Sequence, residues 1–266
     1  MRLIVTSLLM LFATSVFAED SRLSGLETGT AAKGFEAVGR LEIAGIGFCT
    51  GALISDSLVL TAAHCLYSAQ SGGVIAARDV EFRAGWRNGR AEAYRDIRRI
   101  VIHPDFVFEG GSTGARVRND VALLELARPL RTTNIIPFAV ANQPRKGEAV
   151  GVVSYAHDRA EAPSLQDKCR IMARQSGMLV MSCDVDFGSS GSPVFSFEGS
   201  QARVVSVISA KAQVRGQKVS LGTGLTDQLA VLKAALDAGR GFGVGTAPKV
   251  RRLATGAQGS AKFVKP

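Results

Sequence analysis

Short apolar runs separated by turn residues cover most of the chain from residue 35 onward. Many of these runs are rich in Val and Ile, and Gly, Asn, Asp or Pro separates one run from the next, which is typical of β-strands. The predicted strands are Ala37–Ile43, Gly47–Ile54, Leu58–Thr61, Val80–Ala84, Arg95–Ile102, Val121–Leu126, Ala149–Tyr155, Cys169–Ala173, Leu179–Cys183, Ser192–Phe197, Val204–Ala210 and Val219–Gly222. About a dozen strands with little helix between them predict an all-β protein, built as a sandwich or a barrel.

One segment alone has a clear helical period. Leucines recur there at steps of three and four residues, which predicts an amphipathic helix. We expect Thr226 or Asp227 to cap its first turn and the helix to end near Gly239. The leucines are Leu225, Leu229, Leu232 and Leu236.

The first residues have the pattern of a secretory signal peptide. Arg2 precedes a short apolar run, and Val16-Phe17-Ala18 forms a small-x-small cleavage pattern before the polar Glu19. A membrane anchor is the alternative, but the run is shorter than the ~20 residues that a spanning helix needs. We therefore predict a secreted or periplasmic protein with no membrane span.

A further boundary is expected around 128–137, where two prolines bracket a stretch without strand pattern. It would divide the mature chain into two halves of ordinary domain size. The predicted segments are a signal peptide at 1–18, a flexible leader or propeptide remnant at 19–34, an N-terminal half at 35–130, a C-terminal half with the terminal helix at 131–238, and a basic flexible tail at 239–266.

Composition excludes some classes of protein and locates the charge. The 266 residues are 46% hydrophobic and 21% charged, unlike a disordered chain. The net charge of +9 raises the hypothesis of nucleic-acid binding. However, the segment 239–266 holds six Lys and Arg and no Asp or Glu, so most of the excess belongs to the predicted tail. We expect no specific nucleic-acid binding and at most a weak contact between the tail and an anionic surface.

The chain has four cysteines, an even number that in an exported protein indicates two disulfides. A zinc site is the alternative, but the C-x2-C pairs typical of such sites are missing. Of the three possible connectivities we favour the local one, because each bridge then closes a short loop and contributes roughly 3 kcal/mol through loop entropy. The favoured pairs are Cys49–Cys65 and Cys169–Cys183.

Three further segments bear residues suited to nucleophilic catalysis. A lone histidine, aspartate or serine has an ordinary structural role, but together and in this order the segments resemble the chymotrypsin-like serine peptidase family. The resemblance covers about 35–238 and includes the interval of 16 residues between Cys49 and Cys65. The segments are Thr61-Ala62-Ala63-His64-Cys65, Asn119-Asp120-Val121-Ala122-Leu123-Leu124-Glu125-Leu126 and Gly188-Ser189-Ser190-Gly191-Ser192-Pro193-Val194.

The resemblance implies a fold of two six-stranded antiparallel β-barrels with the active site between them, followed by a C-terminal helix. It implies that Ser190 is the nucleophile, His64 the general base and then acid, and Asp120 the carboxylate that orients the histidine. Gly188 and Ser190 match the positions whose N–H groups form the oxyanion hole. No metal or organic cofactor is implied. The form Gly-x-Ser-Gly-Ser-Pro looks most similar to the bacterial glutamyl-endopeptidase-like branch.

The resemblance is weakest for specificity. Asp184 lies at the offset where trypsins place the acidic base of the primary pocket, which would favour cleavage after Arg or Lys. Lys211 lies near the cleft and would oppose a cationic substrate. Ser209 matches a serine that bonds the catalytic Asp in that family, and an ordinary strand serine is the alternative. Ser189 replaces the Asp that trypsins use for zymogen activation, so that switch should be absent.

The sequence therefore predicts a secreted, monomeric, trypsin-like serine endopeptidase that acts on protein or peptide substrates. The alternative is a catalytically silent homologue that binds proteins or an anionic surface. An intact set of His, Asp and Ser with an oxyanion-type loop favours the enzyme, because a binding module has no need of all these groups.

Overall fold

The computed structural model describes residues 21–44, 47–111, 113–199 and 201–243. The predicted signal peptide at 1–18 and the tail beyond residue 243 lie outside the described residues. The strands of the described part are β1 (Ser24–Gly25), β2 (Val38–Ile43), β3 (Gly47–Ser55), β4 (Leu58–Thr61), β5 (Val80–Ala84), β6 (Ala93–Ile102), β7 (Ala122–Leu126), β8 (Ala149–Ala156), β9 (Arg159–Gln175), β10 (Met178–Met181), β11 (Pro193–Glu198), β12 (Gln201–Val214), β13 (Gln217–Gly224) and β14 (Phe242–Gly243). The α-helices are α1 (Gly114–Asn119) and α2 (Thr226–Asp237), and 3-10 helices cover Ala63–Leu66 and Ala77–Asp79.

The strands form two closed antiparallel barrels. In the N-terminal barrel the order is β6-β5-β2-β3-β4-β7, and β7 pairs again with β6. In the C-terminal barrel the order is β9-β10-β13-β12-β11-β8, and β8 pairs again with β9. The predicted fold class, two six-stranded barrels and a C-terminal helix, is confirmed.

Alternation of side chains along the strands gives each barrel its interior. In β5 every second residue is buried, and these are Val80, Phe82 and Ala84. Fully buried side chains such as Leu41, Phe82 and Leu123 fill the N-terminal barrel. A similar set, which includes Val152 and Val194, fills the C-terminal barrel. Full burial of one such side chain stabilises the fold by about 1.5–3 kcal/mol, so this alternation is a main determinant of both barrels.

The two ends of the described chain each add a short strand to the opposite barrel. β1 pairs with β9 of the C-terminal barrel, and β14 pairs with β6 of the N-terminal barrel. Within the predicted leader at 19–34, Leu26 and Ala32 are only 4% and 2% exposed, so part of this segment packs against the body of the protein. The flexibility predicted for the leader and for the tail at 239–266 stays a prediction.

Helix α2 confirms the predicted period, since Leu229 and Leu232 are buried in the core of the N-terminal barrel. The predicted cap is wrong: Leu225 is the N-cap residue, and no side chain caps the helix. The helix ends at Asp237, close to the predicted end, and Gly239 follows with φ of +70°. This left-handed conformation is the one that glycine adopts at low cost after a helix.

Two elements differ from the prediction. β9 runs from Arg159 to Gln175, far longer than Cys169–Ala173, because its first half is too polar for a strand pattern to emerge. Helix α1 was not predicted, since its six residues are too few to show a helical period. No helix of the described part is long and apolar enough to cross a membrane.

Candidate active site

The side chains of His64, Asp120 and Ser190 meet between the two barrels. His64 lies in the 3-10 helix directly after β4, Asp120 lies between α1 and β7, and Ser190 lies in the turn before β11. His64 Nε2 is 2.8 Å from Ser190 Oγ, and His64 Nδ1 is 2.7 Å from Asp120 Oδ2. The three side chains thus form one continuous hydrogen-bonded row.

Asp120 holds the histidine at two points. Its Oδ1 accepts the main-chain N–H of His64 at 2.8 Å, and its Oδ2 faces the ring Nδ1. A carboxylate can only accept, so the proton of the neutral ring is assigned to Nδ1. Nε2 is then the acceptor, and the Ser190 hydroxyl donates to it. This tautomer is the one that can remove a proton from the serine.

Burial makes the Asp120 carboxylate depend on its hydrogen bonds. Its side chain is 3% exposed, and a buried charge is costly unless several groups satisfy it. Ser209 Oγ, from β12, donates to Asp120 Oδ2 at 2.5 Å. Together with the two donors of His64, this hydroxyl gives the carboxylate three charge-assisted contacts.

The turn before β11 requires glycine at two positions. Gly188 and Gly191 have φ of +95° and +78°, which side-chain-bearing residues rarely adopt. A Cβ on Gly188 would lie 2.5 Å from the Phe48 ring, and a Cβ on Gly191 would lie 2.3 Å from the Thr50 carbonyl oxygen. Because Phe48 and Thr50 belong to β3, these glycines let the turn pack directly against the N-terminal barrel.

The N–H groups of Gly188 and Ser190 have no protein acceptor among the described residues. The carbonyl before Gly188 accepts the His157 N–H at 2.8 Å, and the carbonyl before Ser190 accepts the Ser192 N–H at 3.1 Å. In a trans peptide the N–H points opposite to the C=O of the same plane. The hydrogen bond that each carbonyl accepts therefore fixes the direction of the N–H group in the same peptide plane.

A cleft of about 390 Å³ opens beside His64 and Ser190. Arg116 and Lys211 bring cationic groups to its lining, and Asp186 and Phe187 lie beside Lys211. The rest of the lining is largely apolar and includes Val117, Val185, Ile208 and Ala210.

Lys211 is paired on two sides within this cleft. Its Nζ lies 2.6 Å from Asp186 Oδ1 and 4.1 Å from the centroid of the Phe187 ring. The hydrogen bond from Lys211, and then that from the Phe187 N–H, lowers the pKa of Asp186 below its usual range. The Lys211 cation is consequently compensated where substrate would enter.

Asp184, predicted as the base of the primary pocket, does not line this cleft. It is exposed and lines a neighbouring pocket of about 640 Å³. Its N–H donates to Gln166 Oε1 at 2.8 Å, and the preceding Cys183 is bridged to Cys169. Both contacts hold the main chain of residue 184 against β9, and Asp186, two residues later, lines the cleft together with Asp120.

Sequence reasoning missed three charged or aromatic residues of the cleft: Arg116, Asp186 and Phe187. Asp186 follows Asp184 so closely that it could have been weighed as a second acidic candidate. Arg116 carried no signal, since it belongs to the unpredicted helix α1. Its guanidinium lies 5.8 Å from the centroids of both the Phe106 and Phe108 rings.

Both favoured disulfides, Cys49–Cys65 and Cys169–Cys183, are present. The first adjoins His64, and the second anchors the start of the segment that leads to Ser190. The alternative of a zinc site made of the four cysteines is therefore wrong. In the part of the chain that the structure describes, no group of three or more His, Cys, Asp or Glu side chains could hold a metal ion.

Comparisons with known proteins agree with this geometry. Residues 28–226 match the family described as Trypsin. The chain is 28% identical to a glutamyl endopeptidase of Bacillus licheniformis over 182 residues, which is 68% of this chain and 54% of that protein. It is 37% identical to a trypsin of Phaedon cochleariae over 84 residues, 31% of this chain and 29% of the relative. It is 35% identical to the vitamin K-dependent protein C of Rattus norvegicus over 96 residues, 35% of this chain and 18% of the relative.

These matches thus span about half the length of the first relative and less than a third of the other two. The family match extends over most of both barrels and includes the segments that carry His64, Asp120 and Ser190. The chain belongs to the trypsin family.

Proposed function

We propose that the protein is a serine endopeptidase that hydrolyses peptide bonds through an acyl-enzyme. The observation that carries this proposal is the hydrogen-bonded row from Ser190 Oγ through His64 to Asp120, with distances of 2.8 and 2.7 Å. A serine hydroxyl is a weak nucleophile at neutral pH and needs a base within hydrogen-bond reach. The structure supplies that base, and a buried carboxylate supports it.

The proposed reaction has two halves. Ser190 Oγ attacks the peptide carbonyl while His64 Nε2 takes its proton, and the Asp120 carboxylate stabilises the imidazolium that forms. His64 then gives the proton to the leaving amine, which leaves an ester between Ser190 and the acyl part of the substrate. Water attacks this ester in the second half with the same base, and Ser190 regains its proton.

The N–H groups of Gly188 and Ser190 are the proposed oxyanion hole. Both N–H groups lack a protein acceptor in the described part. In each case a hydrogen bond to the carbonyl of the same peptide plane fixes the direction of the N–H. Donors held in this way need not reorganise when negative charge develops on the carbonyl oxygen. Loss of one such donor typically costs about 10²–10³ in rate.

Within the family we propose that the chain is closest in type to the glutamyl endopeptidases. Alignment with the Bacillus licheniformis relative covers 68% of this chain, whereas the alignments with the trypsin and protein C cover about a third. Ser189 is fully buried where trypsins carry the activating Asp, and its hydroxyl lies 3.3 Å from the Tyr155 carbonyl oxygen. A neutral hydrogen bond here takes the place of a buried ion pair.

The cleft does not favour a cationic substrate side chain. Asp184 lines an adjoining pocket that shares Asp186 and Lys211 with the cleft, and Asp186 is already bonded to Lys211 at 2.6 Å. Because this pair neutralises itself and the Arg116 guanidinium also lines the cleft, we propose that Arg and Lys before the cut are disfavoured. The substrates would be proteins or peptides.

We also propose that the protein works outside the cytoplasm. Two disulfides suit an oxidising compartment, and the signal-peptide pattern at 1–18 would direct export. The division into halves at 35–130 and 131–238 is retained as a proposal, with residues 21–27 as an arm that pairs with β9 of the second half. Intact-mass measurement of the exported protein should place the N-terminus at Glu19.

A peptide-library cleavage profile tests the proposed function. The mature protein is incubated with the library, and the products are identified by mass spectrometry. We expect cleavage without enrichment of Arg or Lys before the cut, and none with Ser190→Ala. Cleavage that persists in Ser190→Ala would contradict the proposed nucleophile, and a folded wild type without any cleavage would favour the catalytically silent homologue.

A further inference from the structure

The N-terminal arm, residues 21–27, lies along the outer edge of β9. Ser24 and Gly25 pair with Leu165 and Ser164 of that strand. Ser21 donates its N–H to the carbonyl of Lys168 at 2.8 Å. The arm is therefore bound to β9 by main-chain hydrogen bonds over several residues.

Gln166, on the same strand, joins the arm to the segment that leads to the nucleophile. Its side-chain Nε2 donates to the Ser21 carbonyl at 2.8 Å, and its Oε1 accepts the Asp184 N–H at 2.8 Å. The residue is 4% exposed. Its neutral carboxamide supplies both the donor and the acceptor, so replacement by an apolar side chain of similar length removes both bonds.

The segment Asp184–Ser190 is held to β9 only at its first residues. The Cys169–Cys183 bridge ties the residue before it, and Gln166 binds its first N–H. Within the segment, the Ser189 N–H donates to the Asp186 carbonyl at 2.9 Å, which closes the turn that carries the proposed oxyanion donors. The position of Asp184 thus sets where the cleft wall and the turn begin.

We propose that Gln166 is a positioning residue that couples docking of the N-terminal arm to the geometry of the oxyanion turn. In this arrangement the arm helps to fix the start of the segment through a neutral side-chain link, while Thr50 anchors the turn itself to β3. The inference rests on the proposed serine-peptidase function and concerns how its site is held in shape. It predicts that the enzyme needs an intact arm for full activity although the arm touches no reacting atom.

The test compares Gln166→Met with the control Gln175→Met, which alters an exposed glutamine at the end of the same strand. Misplacement of catalytic groups by about 1 Å can cost 10²-fold in rate, and we expect Gln166→Met to lower kcat by about tenfold or more with a smaller change in KM. Gln166→Glu keeps an acceptor for the Asp184 N–H but loses the donor to the Ser21 carbonyl, so it should also lower kcat. The control should match the wild type.

A mature chain that begins at Leu23 removes the Ser21 carbonyl and tests the coupling itself. We expect this truncation and Gln166→Met to lower kcat by similar factors, and their combination to be no worse than the stronger single change. Urea midpoints are measured for each protein, since a purely structural role would lower the midpoint without changing kcat.

The proposed coupling is wrong if folded Gln166→Met keeps kcat within twofold, or if the effects of truncation and substitution multiply. Failure of the proposed function looks different. In that case the wild type itself would not react at Ser190 with a fluorophosphonate, whatever residue stands at position 166.

Discussion

Removal of the Thr50 hydroxyl should loosen the turn that carries the nucleophile. Thr50 is fully buried in β3, and its Oγ1 donates to the Gly188 carbonyl at 2.9 Å and accepts the Tyr155 N–H at 3.1 Å. Its own N–H donates to the Ser190 carbonyl at 2.9 Å and survives substitution. Thr50→Val keeps the shape of the side chain and removes only the hydroxyl bonds.

The magnitude follows from the two groups that lose a partner. A buried donor or acceptor left without a hydrogen bond costs about 1–3 kcal/mol. Gly188 is only half-buried, so water can solvate part of its carbonyl. We therefore expect the free energy of unfolding to fall by about 3 kcal/mol. Because Gly188 would lose an anchor beside a proposed oxyanion donor, kcat should also fall by about 10–100-fold.

The assay combines urea unfolding, followed by the fluorescence of Trp86, with peptide hydrolysis under conditions where each variant remains folded. Thr30→Val, at an exposed position between the arm and β2, is the matched control and should change neither quantity. If Thr50→Val stayed within 0.5 kcal/mol of the wild type, roughly the range of neutral surface substitutions, and kept kcat within twofold, this account of the turn would be refuted.

Three further substitutions test the cleft, the turn and a buried histidine. Lys211→Ala should leave Asp186 uncompensated in the cleft and raise cleavage after Arg or Lys by about tenfold, or ~1.4 kcal/mol, in the peptide-library assay. Gly191→Ala should lower the free energy of unfolding by more than about 2 kcal/mol, since strain at its φ adds to a clash with main chain. His103 is 4% exposed, and burial lowers its pKa in the folded chain below the ordinary histidine value of 6.5. At pH values just below 6.5 the unfolded chain therefore binds more protons than the folded chain. Its contribution to stability is present above that value and is lost as pH falls towards the folded pKa, so His103→Gln should lose less stability than the wild type between about pH 7 and about pH 5.

Each of these substitutions has a matched control. Lys218→Ala changes a lysine of the neighbouring pocket and should not alter specificity. Gly199→Ala has a positive φ with no atom near the added Cβ, so it should cost less than Gly191→Ala. His157→Gln changes an exposed histidine and should leave the pH dependence of stability as it is. Equal effects of a substitution and its control would contradict the corresponding argument.

Sequence patterns predicted the parts of the fold that repeat over several residues. Val80–Ala84 was predicted with its observed bounds because apolar residues alternate there between the barrel interior and the surface. β1 and β14 were missed because two residues cannot show a period, and they form only when another strand offers its edge. His103 is only 4% exposed, and no period in the sequence around it predicts this burial.

Candidate site residues were predicted where a short motif contains them. His64, Asp120 and Ser190 each lie in a recognisable segment, and the structure brings them into hydrogen-bond contact. Residues whose place in the site comes from contacts in the folded chain could not be predicted from a short motif. Asp184, assigned to the primary pocket by its offset from the nucleophile, lines a pocket that shares Asp186 and Lys211 with the cleft, so its role in specificity stays a prediction. Nothing in the sequence marked Gln166 itself.

Reaction of the mature protein with a fluorophosphonate tests the central claim most directly. Ser190 Oγ would attack phosphorus and expel fluoride, so intact-mass spectrometry should show one phosphonyl group per chain, which peptide mapping should place on Ser190. Ser196→Ala, a control on β11, should label like the wild type, and Ser190→Ala should not label. A folded wild type that stays unlabelled, or a label that persists in Ser190→Ala, would contradict the assignment of Ser190, His64 and Asp120 as the catalytic groups.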